Sequence, residues 1–342
     1  MKSVFVAQAD LFADLDQAHA VPGRRLHSKP AGSDRAPGWA RASDPEAAAQ
    51  LLDASDDYRV LQRLKPREVD SSYRPGSGEF VAVVVDVETT GLDHRRGEVI
   101  EIGMISFVHN AAGQVGPVIG ALSLLREPSV EISPEITRLT GITSEMVAGH
   151  VLDISAVRAL LEPAELVIAH NARFDRNFCE RLHHDFAQKA WACSVTEVRW
   201  AELGYEGAKL GYLVNQNGWF HNGHRAVDDC HATLEVLAAD LHDGSGPALS
   251  HLLASSQRSR VRLWAQSAPF DMKDVLKGRG YRWNGGEDGR PKAWWTEVDE
   301  EVLDIELRFL KLKPNGLHET RRGSQLFVYD TEPAGILHPP RH

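Results

Sequence analysis

Two carboxylates interrupt an apolar run early in the chain. Asp86 and Glu88 come directly after five apolar residues at 81–85, a composition typical of a strand buried on both faces. Successive side chains of a strand point to opposite faces, so these two acids share one face and Val87 lies on the other. Because an unpaired buried charge costs several kcal/mol, the pair predicts cations bound between the acids. The alternative is that the strand ends at Val85 and both acids are solvated.

Two further acids lie beside the apolar stripes of predicted helices. Asp175 precedes Phe178 and Cys179 by three and four residues, a spacing that puts all three on one face of a helix. A solvated surface aspartate is the alternative for this position. Asp229 flanks the apolar stripe of a later helix, whereas Asp228 falls on another face and is expected to be more exposed. We therefore expect Asp175 and Asp229 to point inward.

A histidine precedes the last of these acids by five residues. His224 follows Asn222 and Gly223 in a predicted loop and stands at the start of the helix that carries Asp229. A loop histidine at such a place is usually solvated or caps the helix. Here it is also placed to swing over the acids, as a mobile general base must.

The order and spacing of these residues resemble the three exonuclease motifs of the DEDD superfamily, in its histidine branch. The tyrosine branch would have Tyr at position 225, where this chain has Arg. The branch includes the proofreading epsilon subunit of the bacterial replicative polymerase and RNase T-like exonuclease domains. Residues 139–143 are also similar, and the resemblance covers residues 80 to about 241. The matching stretches are Asp86-x-Glu88 followed by Thr-Thr-Gly, Asn171-x-x-x-Asp175, and His224-x-x-x-x-Asp229.

This resemblance implies a metal-dependent 3′ to 5′ exonuclease that releases nucleoside 5′-monophosphates from single-stranded or frayed DNA, in repair or proofreading. It implies two divalent cations, Mg²⁺ or Mn²⁺, because oxygen ligands select hard ions. In such enzymes the first acid is shared by both ions and the histidine is the general base. By the resemblance the metal ligands are Asp86, Glu88, Asp175 and Asp229, and the base is His224.

Two other functions fit the same residues. Nothing in the motifs excludes an exoribonuclease or an enzyme that degrades short oligonucleotides, because recognition of the 2′-hydroxyl depends on details of the pocket. A DNA-end or clamp-tethered binding factor is the third hypothesis, which the complete set of acids disfavours. It arises because Gln8, Leu11 and Phe12 resemble the Gln-x-x-Leu-Phe peptides that dock bacterial DNA-processing proteins to the sliding clamp. A short accidental helix is the alternative for this stretch.

Residues close to the motifs are candidate substrate ligands. The turn directly after Glu88 is expected to hold the terminal nucleotide, as it does in similar enzymes. The residues around Asn171 are expected to line the same pocket, where Phe174 either stacks on a base or belongs to the core. The candidates are Thr89, Thr90, Gly91, Leu92, His170, Asn171 and Phe174.

The elements that must position these residues change character along the chain. Three strands with short connections come first and predict an antiparallel meander, at 80–87, 99–107 and 118–125. Helices and strands then alternate, with helices at 134–140, 154–161, 172–182 and 225–241 and strands at 166–170 and 191–193. This pattern predicts an α/β fold with a mixed sheet flanked by helices. The resemblance implies that the sheet is ribonuclease H-like.

The composition divides the rest of the chain into segments around this domain. The predicted segments are a largely disordered tail (1–43), a helical extension and linker (44–77), the exonuclease domain (78–243), a linker (244–259), a small basic, Trp-rich α+β module (260–313) and an irregular tail (314–342). Between 258 and 292 nine bases stand against four acids. The tryptophans there either stack on single-stranded nucleic acid or form the core of the module.

The overall composition is that of a globular protein with room for one large domain or two. The chain has 342 residues and a net charge of −10, which argues against non-specific binding of nucleic acid by its whole surface. Its three cysteines lack metal-ligand spacing and predict reduced core residues. The N-terminus makes a poor signal peptide and no apolar run has the length of a bilayer span. We expect a cytoplasmic protein that does not contact membranes.

Overall fold

The computed structural model describes residues 44–241, 243–266, 268–286, 291–312 and 328–333. The predicted disordered tail, with the clamp-binding candidates Gln8, Leu11 and Phe12, lies outside the described residues. The chain divides into two units after Val60, which are taken separately below.

The described part of the first unit is a short helix followed by turns. Helix α1 (Pro45–Asp53) begins after Asp44, whose carboxylate accepts the N–H of Glu46 at 3.1 Å. Of the helical extension predicted within residues 44–77, only α1 is helical. Ser55 accepts the N–H of Asp57 instead, a local bond that competes with the helical hydrogen bonds. Residues 62–63 of the second unit form a strand, β1 (Gln62–Arg63).

A five-stranded mixed sheet forms the centre of the second unit. The strands lie in the order β4-β3-β2-β5-β6. The first three are antiparallel neighbours, and β5 and β6 run parallel to β2. The predicted meander and ribonuclease H-like mixed sheet are confirmed. The strands are β2 (Glu79–Thr89), β3 (Val99–Asn110), β4 (Val115–Leu125), β5 (Leu166–Ala169) and β6 (Ala190–Cys193).

Helices cover both faces of this sheet because its central strand is apolar on both. Val83 and Val85 belong to one core, together with side chains from the helices at 154–161 and 172–182. Ala82 and Val84 belong to a second core on the opposite face, with the helices at 226–238 and 248–256. The elements beyond the strands of the sheet are α2 (Pro134–Thr140), α3 (Ser144–Val147), α4 (Ile154–Leu161), α5 (Ala172–Leu182), α6 (Leu210–Gln216), β7 (Trp219–Phe220), α7 (Ala226–Ala238) and α8 (Ala248–Ser256).

Most of these helices agree with the sequence, and a few features differ. Helix α2 begins after Ser133 and ends at Gly141, which has the left-handed φ of 71° that favours glycine at this position. Helices α3 and α6 and strand β7 were not predicted. The predicted linker over 244–259 instead contains α8, because Leu249 and Leu252 are buried in the core and hold this helix against the domain.

Residues 259–312, which we call the C-terminal module, contain several helices and combine with the later strand β11 (Val328–Pro333) to form a second sheet. Its strands lie in the antiparallel order β11-β8-β10-β9, and β11 lies within the stretch that was predicted to be irregular. Trp264 and Trp294 are buried, which fits the core alternative, whereas Trp283 is 51% exposed. The elements are β8 (Ser259–Ala265), α9 (Lys273–Gly278), β9 (Arg282–Trp283), β10 (Trp294–Asp299), α10 (Leu303–Leu312) and β11 (Val328–Pro333).

Two global expectations can be compared with the described residues. In the described part of the chain, no helix combines the length and apolar composition that a membrane span requires. All three cysteines are free thiols, with Cys179 and Cys230 buried and Cys193 half-buried.

Candidate active site

Strand β2 continues through the two acids that interrupt its apolar run. Asp86 and Glu88 lie on the face of β2 that packs towards α7, with Val87 buried on the other face. Both acids are half-buried, so the alternative of a solvated strand end is wrong. Burial and the charges of Asp175 and Asp229 raise the pKa of Asp86 well above its usual range. Burial, with the charge of Asp229 next, raises the pKa of Glu88 to about 8.

Asp175 reaches the same place from helix α5. Strand β5 pairs only with residues 82–84 of β2, so this edge of β2 is open beyond Val84. There the Oδ1 of Asp175 accepts the N–H of Val87 at 3.1 Å. The side chain is 2% exposed, and this burial raises its pKa to about 8. The expectation of an inward aspartate on the apolar stripe of the helix agrees with this position.

Asp229 comes from the first turn of α7, which packs directly on β3. A Cβ added to Gly103 would lie 2.3 Å from the carbonyl carbon of Ala226, so only glycine allows this approach. Gly103 pairs with Asp86 in the β2–β3 register, and the close contact therefore brings α7 over that acid. The Oδ1 of Asp229 lies 2.7 Å from the Nε2 of His221.

His224 stands beside Asp229 in an uncommon backbone conformation. Its φ is 65°, in the left-handed region that non-glycine residues seldom adopt, and its N–H donates to the Oδ2 of Asp229 at 2.8 Å. The expected swinging base is therefore anchored through its backbone. Metal-ligand atoms of Glu88, His224 and Asp229 all lie within 4.8 Å of one another.

The donor set fits hard divalent cations. Burial and mutual repulsion raise the pKa values of three of the acids, so bound cations would stabilise their charged forms. Carboxylate oxygens are the ligands that Mg²⁺ and Mn²⁺ prefer. Cations of this kind would be held by Asp86, Glu88, Asp175 and Asp229.

A fifth carboxylate, on the neighbouring strand β3, holds residues of the site in place. Glu101 is fully buried and lies opposite Glu88 in the register of β2 and β3. Its two oxygens accept bonds from the guanidinium of Arg225 at 2.9 and 3.1 Å and from the N–H of Ala226 at 3.1 Å. A further bond comes from the Oγ of Ser123 at 2.9 Å. Glu101 thus fixes the residue that follows His224 and the first turn of α7.

The substrate candidates after Glu88 form a folded turn. The Oγ1 of Thr89 donates to the carbonyl of Gly91 at 2.8 Å, and the Oγ1 of Thr90 accepts the N–H of Glu98 at 3.0 Å. These local bonds shape the turn directly beside the metal-ligand candidates. Leu92 is 37% exposed, so it remains available for contact with a nucleotide.

The other substrate candidates lie at the end of β5 and the start of α5. The Nδ1 of His170 lies 2.8 Å from the Oγ of Ser194, and burial lowers the pKa of His170 to about 4, so its ring is neutral. Asn171 is exposed with a left-handed φ of 77°. Phe174 packs on Phe178 with ring centroids 5.0 Å apart and is half-buried against the core. The side chain of Phe174 therefore belongs in part to the core, which was one of the two alternatives predicted for it.

Three site residues were absent from the sequence prediction. Glu101 is a charge inside an apolar strand, the same signal that identified Asp86, and that signal could have found it. Arg225 was used only to exclude the tyrosine branch, although it lies next to His224. His221 carries no local signal, because its contact with Asp229 depends on the path of the loop between β7 and α7.

Comparisons with known proteins identify the same region. Residues 83–237 match the exonuclease family described as RNase T. A PolC-type DNA polymerase III from Clostridium perfringens is 32% identical over 161 residues, which are 45% of this chain and 11% of the polymerase. The PolC-type enzyme of Thermotoga maritima is 34% identical over 197 residues, 54% of this chain and 13% of the polymerase. The chain thus matches only a small part of these relatives.

Solved structures of exonucleases also match the chain. Exonuclease X in complex with 5′-overhanging duplex DNA is 24% identical, with a TM-score of 0.34, over 48% of this chain and 99% of that protein. Exonuclease I without ligand is 13% identical, with a TM-score of 0.42, over 54% of this chain and 49% of that protein.

Proposed function

We propose that residues 83–237, which match the exonuclease family described as RNase T, form an exonuclease domain of the DEDD superfamily, and that the protein is a divalent-metal-dependent 3′ to 5′ exonuclease acting on DNA. The convergence of four carboxylates from β2, α5 and α7 beside one histidine carries the proposal. The histidine is His224, as in the branch of the superfamily that the motifs resemble. The similarity to PolC-type DNA polymerases supports DNA as the substrate.

Each element of the site has a part in this proposed reaction. Divalent cations, when bound, would neutralise the charge that builds up on the phosphate and lower the pKa of the attacking water. The acids hold these cations, and Asp175 is fixed by its bond to the N–H of Val87. His224 accepts the proton of the attacking water on its imidazole. The turn at 89–92 and the surface around Asn171 hold the terminal nucleotide.

One experiment tests activity, polarity and substrate together. Single-stranded DNA and RNA of the same sequence, each labelled at the 5′ end, are incubated with the protein and Mg²⁺ or Mn²⁺. A stepwise ladder on DNA is expected, and a phosphorothioate-blocked 3′ terminus is expected to suppress it. Asp86→Asn should abolish the ladder. Asp228→Asn, which changes a neighbour of Asp229 on the same helix, is the matched control and should retain it.

The other outcomes separate the alternatives. A faster ladder on RNA would replace DNA by RNA as the substrate. Shortening that proceeds despite the blocked 3′ terminus would overturn the polarity. If neither nucleic acid is cut while Asp86→Asn and wild type bind DNA equally, the protein is a binding factor and the proposal is wrong.

A further inference from the structure

A segment outside the family-matched region lies against the loop that carries the histidines. Strand β1 pairs in parallel with β7, which leads directly into His221 and His224. The N–H of Gln62 donates to the carbonyl of Gly218, and the N–H of Leu64 donates to that of Phe220, both at 2.9 Å. This pairing fixes residues 62–64 beside the candidate active site, although residues 83–237 alone match the exonuclease family.

Both side chains of β1 are exposed, and one of them is an arginine. The Cζ of Arg63 lies 4.8 Å from the centre of the Phe220 ring, and its Nη1 donates to the Oδ1 of Asn222 at 3.3 Å. Phe220 is 36% exposed, and Asn222 is the residue after His221. Stacking on the ring and the bond to Asn222 orient the guanidinium, which lowers the entropy lost when it binds a ligand.

Arg63 has no acid partner among the described residues, unlike Arg67 and Arg225. Arg67 binds Glu235 through two hydrogen bonds, and Arg225 binds Glu101 in the same way. Among the described residues, no carboxylate lies within salt-bridge distance of Arg63. An exposed guanidinium without an acid partner, next to a cluster of carboxylates, is available for an anion.

A nucleic-acid strand needs such a cation at this place. The chain has a net charge of −10 and its candidate site is built from acids, so the phosphates beyond the scissile one meet a repulsive surface. Guanidinium groups bind phosphates through paired hydrogen bonds and supply much of the affinity for single strands. Arg63 is the oriented, unpaired arginine on the segment that flanks the histidine loop.

We propose that Arg63, held by Phe220 and Asn222, binds a backbone phosphate of the substrate strand adjacent to the catalytic centre. This inference rests on the proposed nuclease function and adds a strand-binding subsite to it. Phe220 and Asn222 are positioning residues for the guanidinium. Strand affinity thereby depends on a segment that precedes the exonuclease domain.

Two substrates of different length distinguish two roles of Arg63: binding the nucleic-acid strand and stabilising the loop that carries the histidines. Arg63→Ala is assayed on a single-stranded twenty-nucleotide oligothymidine and on the p-nitrophenyl ester of thymidine 5′-monophosphate, which is too short to leave the catalytic centre. For the oligonucleotide we expect KM to rise about five- to twentyfold with kcat within about twofold. For the ester we expect no change in kcat/KM. The salt dependence of log KM should become shallower by about 0.7, as for one lost phosphate contact.

Two further variants serve as controls in the same assays. Arg63→Lys should recover part of the lost affinity. Arg74→Ala removes an exposed arginine whose hydrogen bonds, among the described residues, go to carbonyls of its own segment, and it should leave both substrates unaffected. An unchanged KM for the oligonucleotide would overturn the subsite. Equal losses of kcat on both substrates would also overturn it, since they would mean that Arg63 supports the histidine loop.

A binding measurement keeps this test separate from catalysis. Fluorescence anisotropy of a labelled twelve-nucleotide oligothymidine, in EDTA, is compared for wild type and Arg63→Ala, with melting curves to check folding. If the wild type cuts no nucleic acid but Arg63→Ala still weakens binding fivefold or more, the nuclease proposal fails and the subsite stands. Equal binding by two folded proteins rejects the subsite.

Discussion

The candidate active site and the C-terminal module are both rich in charge, but they compensate it differently. In the module Arg279 bonds Glu306, which also accepts the hydroxyl of Tyr281, and Arg262 bonds Glu297. The acids of the active site instead face one another, and their pKa values are raised. Balanced charges of the first kind support a fold, whereas the unbalanced cluster is stabilised by protons or by bound cations.

The same comparison changes the expectation for the module. The nine bases against four acids between 258 and 292 indicated a basic surface. Over the whole module, residues 259–312, ten bases stand against ten acids, because residues 293–312 add six acids and only two bases. Trp295 is stacked against Arg262 and against Trp264 within the sheet. The net charge of the module therefore does not support it as the main binding site for a nucleic-acid strand. This favours Arg63, beside the candidate active site, for that role.

The largest expected effect comes from removing one unbalanced acid. Asp175→Asn keeps the acceptor for the N–H of Val87 but removes a charge, so activity should fall more than about a thousandfold. In EDTA the melting temperature should stay the same or rise, because burial and repulsion disfavour the charged form. A melting temperature that falls by several degrees in EDTA would mean that this acid is balanced after all.

A smaller loss of activity is expected from changing Glu101, the buried acid whose charge is balanced by Arg225. Glu101→Gln weakens the bonds to Arg225 and Ala226, so kcat should fall about ten- to a hundredfold through misplacement of the neighbouring His224. The free energy of unfolding should fall by about 1–3 kcal/mol. Paired measurement of kcat and urea unfolding tests this, with Glu98→Gln, at a partly exposed acid just before β3, as the control. Unchanged kcat together with lower stability would assign Glu101 to the fold alone.

The pH dependence of stability should differ with and without metal. The folded pKa values of Glu88 and Asp175, about 8, lie above their ordinary values of 4.5 and 3.8. The folded state therefore holds these protons more tightly, and the stability they contribute is lost as pH rises from about 4 through about 8. Urea unfolding in EDTA should show this loss between pH 5.5 and 8.5, and a saturating divalent cation should reduce it. Asp175→Asn should show a smaller loss than wild type, and an equal loss in both proteins would contradict the assignment.

The smallest effect on activity is expected in the module. Glu306→Gln disturbs the bonds to Arg279 and Tyr281 and should lower the free energy of unfolding by about 1–3 kcal/mol. Hydrolysis of the p-nitrophenyl ester of thymidine 5′-monophosphate should remain unchanged. Glu300→Gln, at an exposed position, is the control for stability. A loss of ester hydrolysis would show that the module takes part in the chemistry and would remove the contrast between the two regions.

Much of the fold could be predicted because its signals are local. The valine run of β2, the Ser133 and Gly141 boundaries of α2 and the apolar stripe of α5 follow from spacing and residue type. The helical extension predicted within 44–77 is shorter than expected, because Ser55 accepts the N–H of Asp57 in a turn just after α1. Helix α8 was missed because nothing local distinguishes a short packed helix from a linker.

The sequence by itself determined which acids are the metal-ligand candidates and that Asp86 and Glu88 share one face, because strand periodicity and motif spacing act over a few residues. Only the tertiary structure decided how these acids are held. Gly103 admits the first turn of α7, Glu101 binds Arg225 from across the sheet, and Arg63 reaches Asn222 from more than 150 positions away. Such contacts depend on strand register and close packing between distant segments, which no local pattern encodes.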